Sequence, residues 1–196
     1  MKNILLSLIF SFVVIFTSFA QSQEKQDFTN KKMLYLVANT HLDTQWNWTI
    51  QTIINNFVYN TLKDNFYLFE KYPDYVFNFE GAIKYMWMKE YYPTEYEKLK
   101  KYIAQRRWNI ACSSIEASDV NVPSVESQFR NILLGENFYQ SEFNKKSSDI
   151  FLPDCFGFGY TLPTIAAHCG LKGFNSGITS DTAIVNKINL MGKKSG

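Results

Sequence analysis

The sequence predicts an α/β fold in which parallel strands alternate with helices, and two observations predict it. Short apolar or alternating runs, typical of strands, are separated by longer segments whose apolar residues recur at helical spacing. The connections between successive strands are long enough to hold a helix, as parallel pairing requires. With 196 residues, 46% of them apolar, the chain can bury a core of its own.

About five strands with flanking helices are predicted. The strands cover residues 33–39, 75–79, 108–112, 149–152 and 172–175. The helices cover residues 49–71, 82–92 and 94–106, a long segment after Ser124 and a short segment from Pro163. One face of the first helix is predicted to be apolar, and it carries Ile50, Ile53, Ile54, Phe57, Val58 and Leu62.

Capping and breaking residues mark the helix ends. Pro93 stops the second helix, and the pattern at residues 94–97 is a capping box that opens the third. Ser124 is placed to cap the long helix, with Glu126 in its first turn, where the helix dipole favours an anion. Gly170 is a C-cap for the short helix.

The first 32 residues are predicted to lie outside the fold. Residues 1–20 have the features of a signal peptide: Lys2, then an apolar run, then the small-x-small site at residues 18–20. The run is too short for a comfortable membrane span, although an uncleaved anchor is an alternative. Residues 21–32 form a polar linker, and the folded domain is expected to occupy residues 33–196. We therefore expect an exported protein, periplasmic or secreted, with no stable membrane insertion after cleavage.

Composition adds two indications. The net charge of +2 gives no reason to expect a nucleic-acid partner, and the 17% aromatic content is compatible either with sugar stacking or with an aromatic core. Cys112, Cys155 and Cys169 show no C-x-x-C spacing, which excludes a zinc knuckle. We expect three buried thiols, and the alternative is one disulfide with one spare thiol.

Candidate site residues follow the predicted strands. His41 and Asp43 come after the first strand, and Asp154 comes after the fourth. Ligands of parallel sheets bind at the carboxyl ends of strands, so all three residues are expected on one rim. Imidazole and carboxylate suit zinc or a similar divalent ion. The alternatives are that His41 forms a loop hydrogen bond, that Asp43 caps the next helix and that Asp154 is a turn or cap residue.

Aromatic and acidic residues nearby have open roles. Trp46 could stack on a sugar ring, whereas Trp48 is expected to pack at the start of the helix. Glu116 and Asp119 follow the third strand and could bind substrate hydroxyls, but an acidic surface loop is the simpler interpretation. His168 is expected to be a helix C-terminal histidine rather than a ligand.

The segment HLDTQWNW at residues 41–48 resembles the opening motif of glycoside hydrolase family 38, the α-mannosidases. Further blocks match in the same order across residues 33–175. They are YPDYVF at 72–77, KEYYP at 89–93, PS and ES within 123–127, RN at 130–131, LPDCFG at 152–157 and LP at 162–163.

The resemblance implies a barrel-like parallel β/α amino-terminal domain, a zinc cofactor and mannose-containing glycans as substrate. It implies that His41, Asp43 and Asp154 are zinc ligands, that Asp154 is also the catalytic nucleophile and that Trp46 lines the mannose subsite. The implied reaction is retaining hydrolysis with two carboxyl groups.

The resemblance also implies parts that these 196 residues do not include, namely a fourth zinc ligand and the general acid. We therefore expect an incomplete barrel and negligible hydrolysis by this chain alone. The alternatives are another metal-dependent carbohydrate hydrolase, such as a deacetylase, and a non-catalytic sugar-binding remnant. The sequence does not indicate an oligomeric state.

Overall fold

The computed structural model describes residues 38–176, in which parallel strands alternate with helices. The strands are β1 (Ala38–Thr40), β2 (Phe77–Glu80), β3 (Trp108–Ala111), β4 (Asp149–Phe151) and β5 (Gly173–Asn175). The helices are α1 (the consecutive segments Ile50–Thr52, Ile53–Val58 and Tyr59–Lys71), α2 (Ala82–Tyr91), α3 (Pro93–Ala104), α4 (Val125–Phe143) and α5 (Thr161–His168). The predicted signal peptide, the linker and residues 33–37 of the first predicted strand lie outside the described residues.

The described strands form two sheets, and the predicted parallel pairing is confirmed. In the first sheet β2 lies between β1 and β3, with Phe77 opposite both Ala38 and Trp108. In the second, β4 pairs with β5. Just beyond β3, the backbone N–H of Ser113 donates to the Asp149 carbonyl at 3.0 Å, which connects the two sheets at the start of β4.

Helix α1 covers the predicted range but not the predicted face. Its middle segment, Ile53–Val58, is a π-helix, whose wider turns rotate the side chains that follow. Ile53 and Val58 are buried, whereas Ile50, which precedes the π segment, and Phe57, which lies within it, are 39% and 36% exposed. The predicted apolar stripe is therefore right for four residues and wrong for these two.

Of the predicted helix ends, the cap of α4 and the glycine after α5 are confirmed, and the starts of α3 and α5 differ. Ser124 caps α4 by accepting from the Ser127 N–H at 3.2 Å, as predicted. The capping box is wrong, because α3 begins at Pro93, whose missing N–H costs nothing in the first turn. Helix α5 begins at Thr161, two residues before the predicted Pro163. Gly170 follows it with a φ of +73°, as a C-cap glycine requires.

The buried side chains form two clusters. The larger lies between the first sheet and helices α1 to α4, and Trp108, Tyr85, Phe77 and Phe79 are at its centre. The smaller surrounds β4 and α5 and contains Ile150, Leu152 and Leu162. Across residues 38–176, no helix combines the length and the apolar character that a membrane crossing needs.

Candidate functional site

Polar residues gather where the strands of the first sheet end. His41 follows β1, Glu80 is the last residue of β2, and Glu116 lies in the loop after β3. Because the three strands are parallel, these residues share one edge of the sheet. This edge is the rim that the sequence predicted for His41 and Asp43.

The His41 imidazole is held between two carboxylates. Its Nδ1 makes a short hydrogen bond to Glu80, whose side chain is only 1% exposed. Its Nε2 lies 3.3 Å from Asp43 Oδ1 and is buried without a hydrogen-bond partner. The hydrogen bond to Glu80 raises the pKa of His41; burial opposes the rise, and the charges of Glu80 and Asp43 add to it.

This geometry fits a divalent metal ion such as zinc. When Nδ1–H donates to Glu80, the lone pair of Nε2 is directed away from that bond and beside the Asp43 carboxylate. Metal-binding histidines usually donate a hydrogen bond from the N–H of their other ring nitrogen to a carboxylate in this way. The unpartnered Nε2 atom and the adjacent carboxylate are thus a suitable nitrogen and oxygen pair. The alternative in which Asp43 caps the helix is wrong, because Thr49 accepts from the Thr52 N–H at the start of α1.

Asp154 lies on a separate turn. It follows β4, is exposed, and begins the segment that includes Cys155 and Gly157. The Cys155 thiol donates to the Ser118 carbonyl at 3.2 Å, so the turn is fastened to the loop after β3. Burial raises the pKa of the Cys155 thiol to about 11, and the charge of Asp119 adds to the rise.

Among residues 38–176, no three His, Cys, Asp or Glu side chains are arranged as a metal site. The structure thus brings His41 and Asp43 together but does not bring Asp154 to them. All three cysteines are free, and Cys112 and Cys155 are buried as predicted, whereas Cys169 is half-buried.

The two tryptophans differ in environment. The Trp48 ring packs against the tilted ring of Phe57, with ring centroids 5.1 Å apart. Its indole N–H donates to the Asp43 carbonyl at 3.2 Å. It therefore packs at the helix start as expected and also fixes the backbone that carries Asp43. Trp46 is 65% exposed, so a flat apolar ring is accessible beside the rim.

Two residues that the sequence analysis missed complete this cluster, Glu80 and Lys84. Lys84 is fully buried, and its Nζ lies 2.6 Å from Glu116 Oε1. Burial raises the pKa of the Glu116 carboxyl, against the opposing charge of Lys84. The interpretation of Glu116 as part of an acidic surface loop is therefore wrong. The sequence did contain an indication of a functional role for Glu80, because this residue directly follows the predicted strand at 75–79 and precedes Gly81.

Two other residues have local roles. Asp119 accepts from the Asn121 N–H at 3.1 Å and shapes the loop after β3. His168 ends α5 and meets the Phe129 ring edge-on at 6.5 Å, in keeping with its expected place at a helix C-terminus.

Together the fold and the site define a parallel α/β domain with a histidine and carboxylates at the carboxyl ends of its strands. Residues 31–179 match the family model described as the glycosyl hydrolases family 38 N-terminal domain. The chain therefore belongs to glycoside hydrolase family 38, which confirms the resemblance found in the sequence.

Curated relatives agree with this assignment. The chain is 31% identical over 141 residues to alpha-mannosidase G of Dictyostelium discoideum and 28% identical over 141 residues to human alpha-mannosidase 2C1. Each alignment covers 72% of this chain but only 13% and 14% of the relative. The chain thus spans about an eighth to a seventh of the length of these relatives.

Solved structures support the fold alone. An alpha-mannosidase from Enterococcus faecalis V583 superimposes with a TM-score of 0.64 at 23% identity, over 71% of this chain and 16% of that one. A 4-alpha-glucanotransferase from Thermococcus litoralis superimposes with a TM-score of 0.52 at 13% identity, over 70% of this chain and 21% of that one.

Proposed function

We propose that this domain supplies part of the active site of a retaining, zinc-dependent α-mannosidase that acts on terminal α-mannosyl linkages of glycans. Family membership supports the reaction class. The observation that carries the proposal is the arrangement of His41, whose Nδ1 is bound to Glu80 and whose unpartnered Nε2 lies beside Asp43.

The residues have distinct roles in this proposal. His41, Asp43 and Asp154 would hold the zinc, which would supply Lewis-acid chemistry at the sugar hydroxyls. Asp154, exposed at the end of its strand, attacks the anomeric carbon and forms a glycosyl-enzyme, which water then hydrolyses. A second carboxyl group protonates the leaving oxygen and later activates the water. Trp46 offers its exposed ring to the sugar.

We also propose that the two sheets are neighbouring parts of one barrel-like parallel structure. The hydrogen bonds from Ser113 N–H and Oγ to the Asp149 carbonyl, at 3.0 and 2.6 Å, support this arrangement. We further propose an exported protein, because residues 1–20 carry a charged start, an apolar run and a small-x-small site.

Asp154→Asn tests the site. The change removes the charge of one ligand and keeps its shape, so we expect zinc affinity to fall at least about tenfold and zinc-dependent mannose binding to be lost. Zinc affinity is measured by chelator competition, and mannose binding by calorimetry with and without zinc. The matched control is Asp74→Asn, since Asp74 also lies exposed in a turn. Unchanged zinc and mannose binding in Asp154→Asn would remove Asp154 from the site.

The same preparations are assayed with an aryl α-mannoside. Negligible turnover by the 196-residue chain remains our expectation. Turnover that Asp154→Asn abolishes would contradict that expectation but support the role of Asp154 as the nucleophile. Turnover that Asp154→Asn leaves intact would exclude that role.

A further inference from the structure

Cys155 has an environment that its neighbours on the Asp154 turn do not share. Its side chain is buried in the smaller cluster, whereas Asp154 before it and Phe156 after it are exposed. Its thiol donates to the Ser118 carbonyl at 3.2 Å. The residue next to the proposed nucleophile is therefore directed into the protein and makes a specific hydrogen bond there.

The partner of this hydrogen bond belongs to a well-anchored loop. Gln128 of α4 is buried, and its Nε2 donates to the Val120 carbonyl at 2.9 Å. Within the loop, the Asp119 carboxylate accepts from the Asn121 N–H at 3.1 Å. The loop after β3 is thus held both by α4 and by its own turn, so Ser118 offers its carbonyl at a fixed place.

The turn and the loop also meet at two glycines. A Cβ placed on Gly157 would lie 3.3 Å from Asn121 Nδ2, and one placed on Gly159 would lie 3.2 Å from Asn121 Oδ1. Gly157 has a φ of +124°, which residues with a Cβ rarely adopt. The glycines permit the close approach of the two segments, and Cys155 supplies a side chain that holds it.

The same loop reaches the rim. Glu116 lies two residues before Ser118, and its carboxylate is 2.6 Å from the Nζ of buried Lys84. Asn131 of α4 holds the Glu116 backbone by two hydrogen bonds at 3.1 and 2.9 Å. The loop after β3 is therefore a shared support, because one part of it belongs to the rim and the next part holds the Asp154 turn.

We infer that Cys155 is a positioning residue for Asp154. Its hydrogen bond to Ser118 fixes the turn on the loop that also carries Glu116, and so determines where the Asp154 carboxylate lies relative to the rim. A thiol suits this place because it packs like a small apolar side chain and still donates a hydrogen bond. The inference rests on the proposed function, since the position of this carboxylate matters only if Asp154 binds the metal and attacks the sugar.

Three substitutions separate the hydrogen bond from packing. Cys155→Ser keeps a donor, Cys155→Ala removes it, and Cys155→Val fills the apolar space without it. Hydrogen exchange of the metal-free chain is measured by mass spectrometry on peptides that cover residues 117–123 and 153–160. We expect exchange in both peptides to be about fivefold faster in the alanine and valine variants and unchanged in the serine variant. Cys169→Ala, at the half-buried thiol after α5, is the matched control and should exchange like the wild type.

A double-mutant cycle tests whether Cys155 acts through Asp154. Zinc affinity, measured by chelator competition, should fall about tenfold in Cys155→Ala and stay close to the wild-type value in Cys155→Ser. Cys155→Ala added to Asp154→Asn should cause no further loss, because the carboxylate that Cys155 positions is already gone. A purely structural role would instead lower zinc affinity equally in both backgrounds. Circular dichroism checks that each variant is folded.

Three results would overturn the inference. One is wild-type exchange of both peptides in a folded Cys155→Ala variant, and another is wild-type exchange in Cys155→Val, which would assign the attachment to packing. The third is an equal loss of zinc affinity with and without the Asp154 carboxylate. A wild-type chain that binds no zinc, or an Asp154→Asn variant that binds it normally, would refute the proposed function, and hydrogen exchange then decides whether Cys155 holds the turn.

Discussion

At the residue scale, the Glu80 carboxylate determines what His41 can do. It is buried at the end of β2 and bonds His41 Nδ1, while Trp48 fixes the backbone of Asp43 on the other side of the imidazole. Both ligands of the proposed zinc pair are thus oriented by a second residue. Such supporting contacts restrict ring rotation and keep the donor atoms in place before a metal arrives.

Glu80→Gln tests this orientation. The amide has the same shape but is uncharged, so it accepts from His41 Nδ1–H less strongly, and its NH₂ group can also turn towards the ring. We expect zinc affinity to fall about 10- to 100-fold, measured by competition with a chromophoric chelator. Glu70→Gln, at an exposed residue paired with Lys98, is the control. Zinc affinity equal to that of the wild type in Glu80→Gln would show that Glu80 does not orient the ligand.

Sequence reasoning found the ligand pair but not its supports. His41 and Asp43 are recognisable because they are two residues apart directly after an apolar run. Glu80 and Lys84 are dozens of residues away along the chain, and their roles depend on how β2 and α2 pack against neighbours. Burial of a lysine or a glutamate cannot be read from residue type, because both are usually exposed.

At the element scale, α4 approaches the loop after β3 through Gly135. A Cβ at this position would lie 2.3 Å from the Ser113 carbonyl oxygen and 2.8 Å from the Ile115 nitrogen. These are backbone atoms, which cannot rotate out of the way. The glycine therefore allows the helix to press on the segment that carries Glu116, and Asn131, one turn earlier, makes its hydrogen bonds to Glu116 from the same helix.

Gly135→Ala is predicted to destabilise the protein, although alanine favours helices by about 1 kcal/mol over glycine. Overpacking of this kind typically costs about 1–3 kcal/mol, and here it acts against rigid backbone, so we expect a net loss in the free energy of unfolding. Urea titration followed by circular dichroism measures it. Asn137→Ala, at an exposed position of α4, is the control. A Gly135→Ala variant as stable as the wild type would mean that the helix can shift outward freely.

The order of the elements was predictable and their details were not. Strand positions agree within about two residues at most ends, because apolar runs and turn residues carry the signal locally. The π segment of α1 was missed because helical spacing does not reveal one widened turn. The helix start at Pro93 was missed although proline at the first helical position is itself a local signal. Phe57 lies within the π segment, is partly exposed and packs against Trp48.

At the scale of the whole described region, the two buried clusters are unequal. The larger contains sixteen buried residues, many of them aromatic, and involves the first sheet and α1 to α4. The smaller contains six and involves β4, α5 and the Asp154 turn through Cys155. Local stability increases with the amount of buried apolar contact. The part that carries Asp154 should therefore open more easily than the part that carries His41.

Native-state hydrogen exchange tests this inequality with two buried leucines. Leu152→Ala in the smaller cluster should lower the opening free energy of amides in the second sheet, such as the Gly173 N–H bonded to the Ser148 carbonyl, by about 2–5 kcal/mol. The Phe77 amide, bonded to the Arg107 carbonyl in the first sheet, should keep its protection. Leu99→Ala, at an equally buried leucine of the larger cluster, should lower protection in both sheets, because the smaller cluster has too little apolar surface to persist alone. Equal loss of protection in both sheets in Leu152→Ala would instead show one cooperative unit, in which the Asp154 turn is as firmly held as the His41 rim.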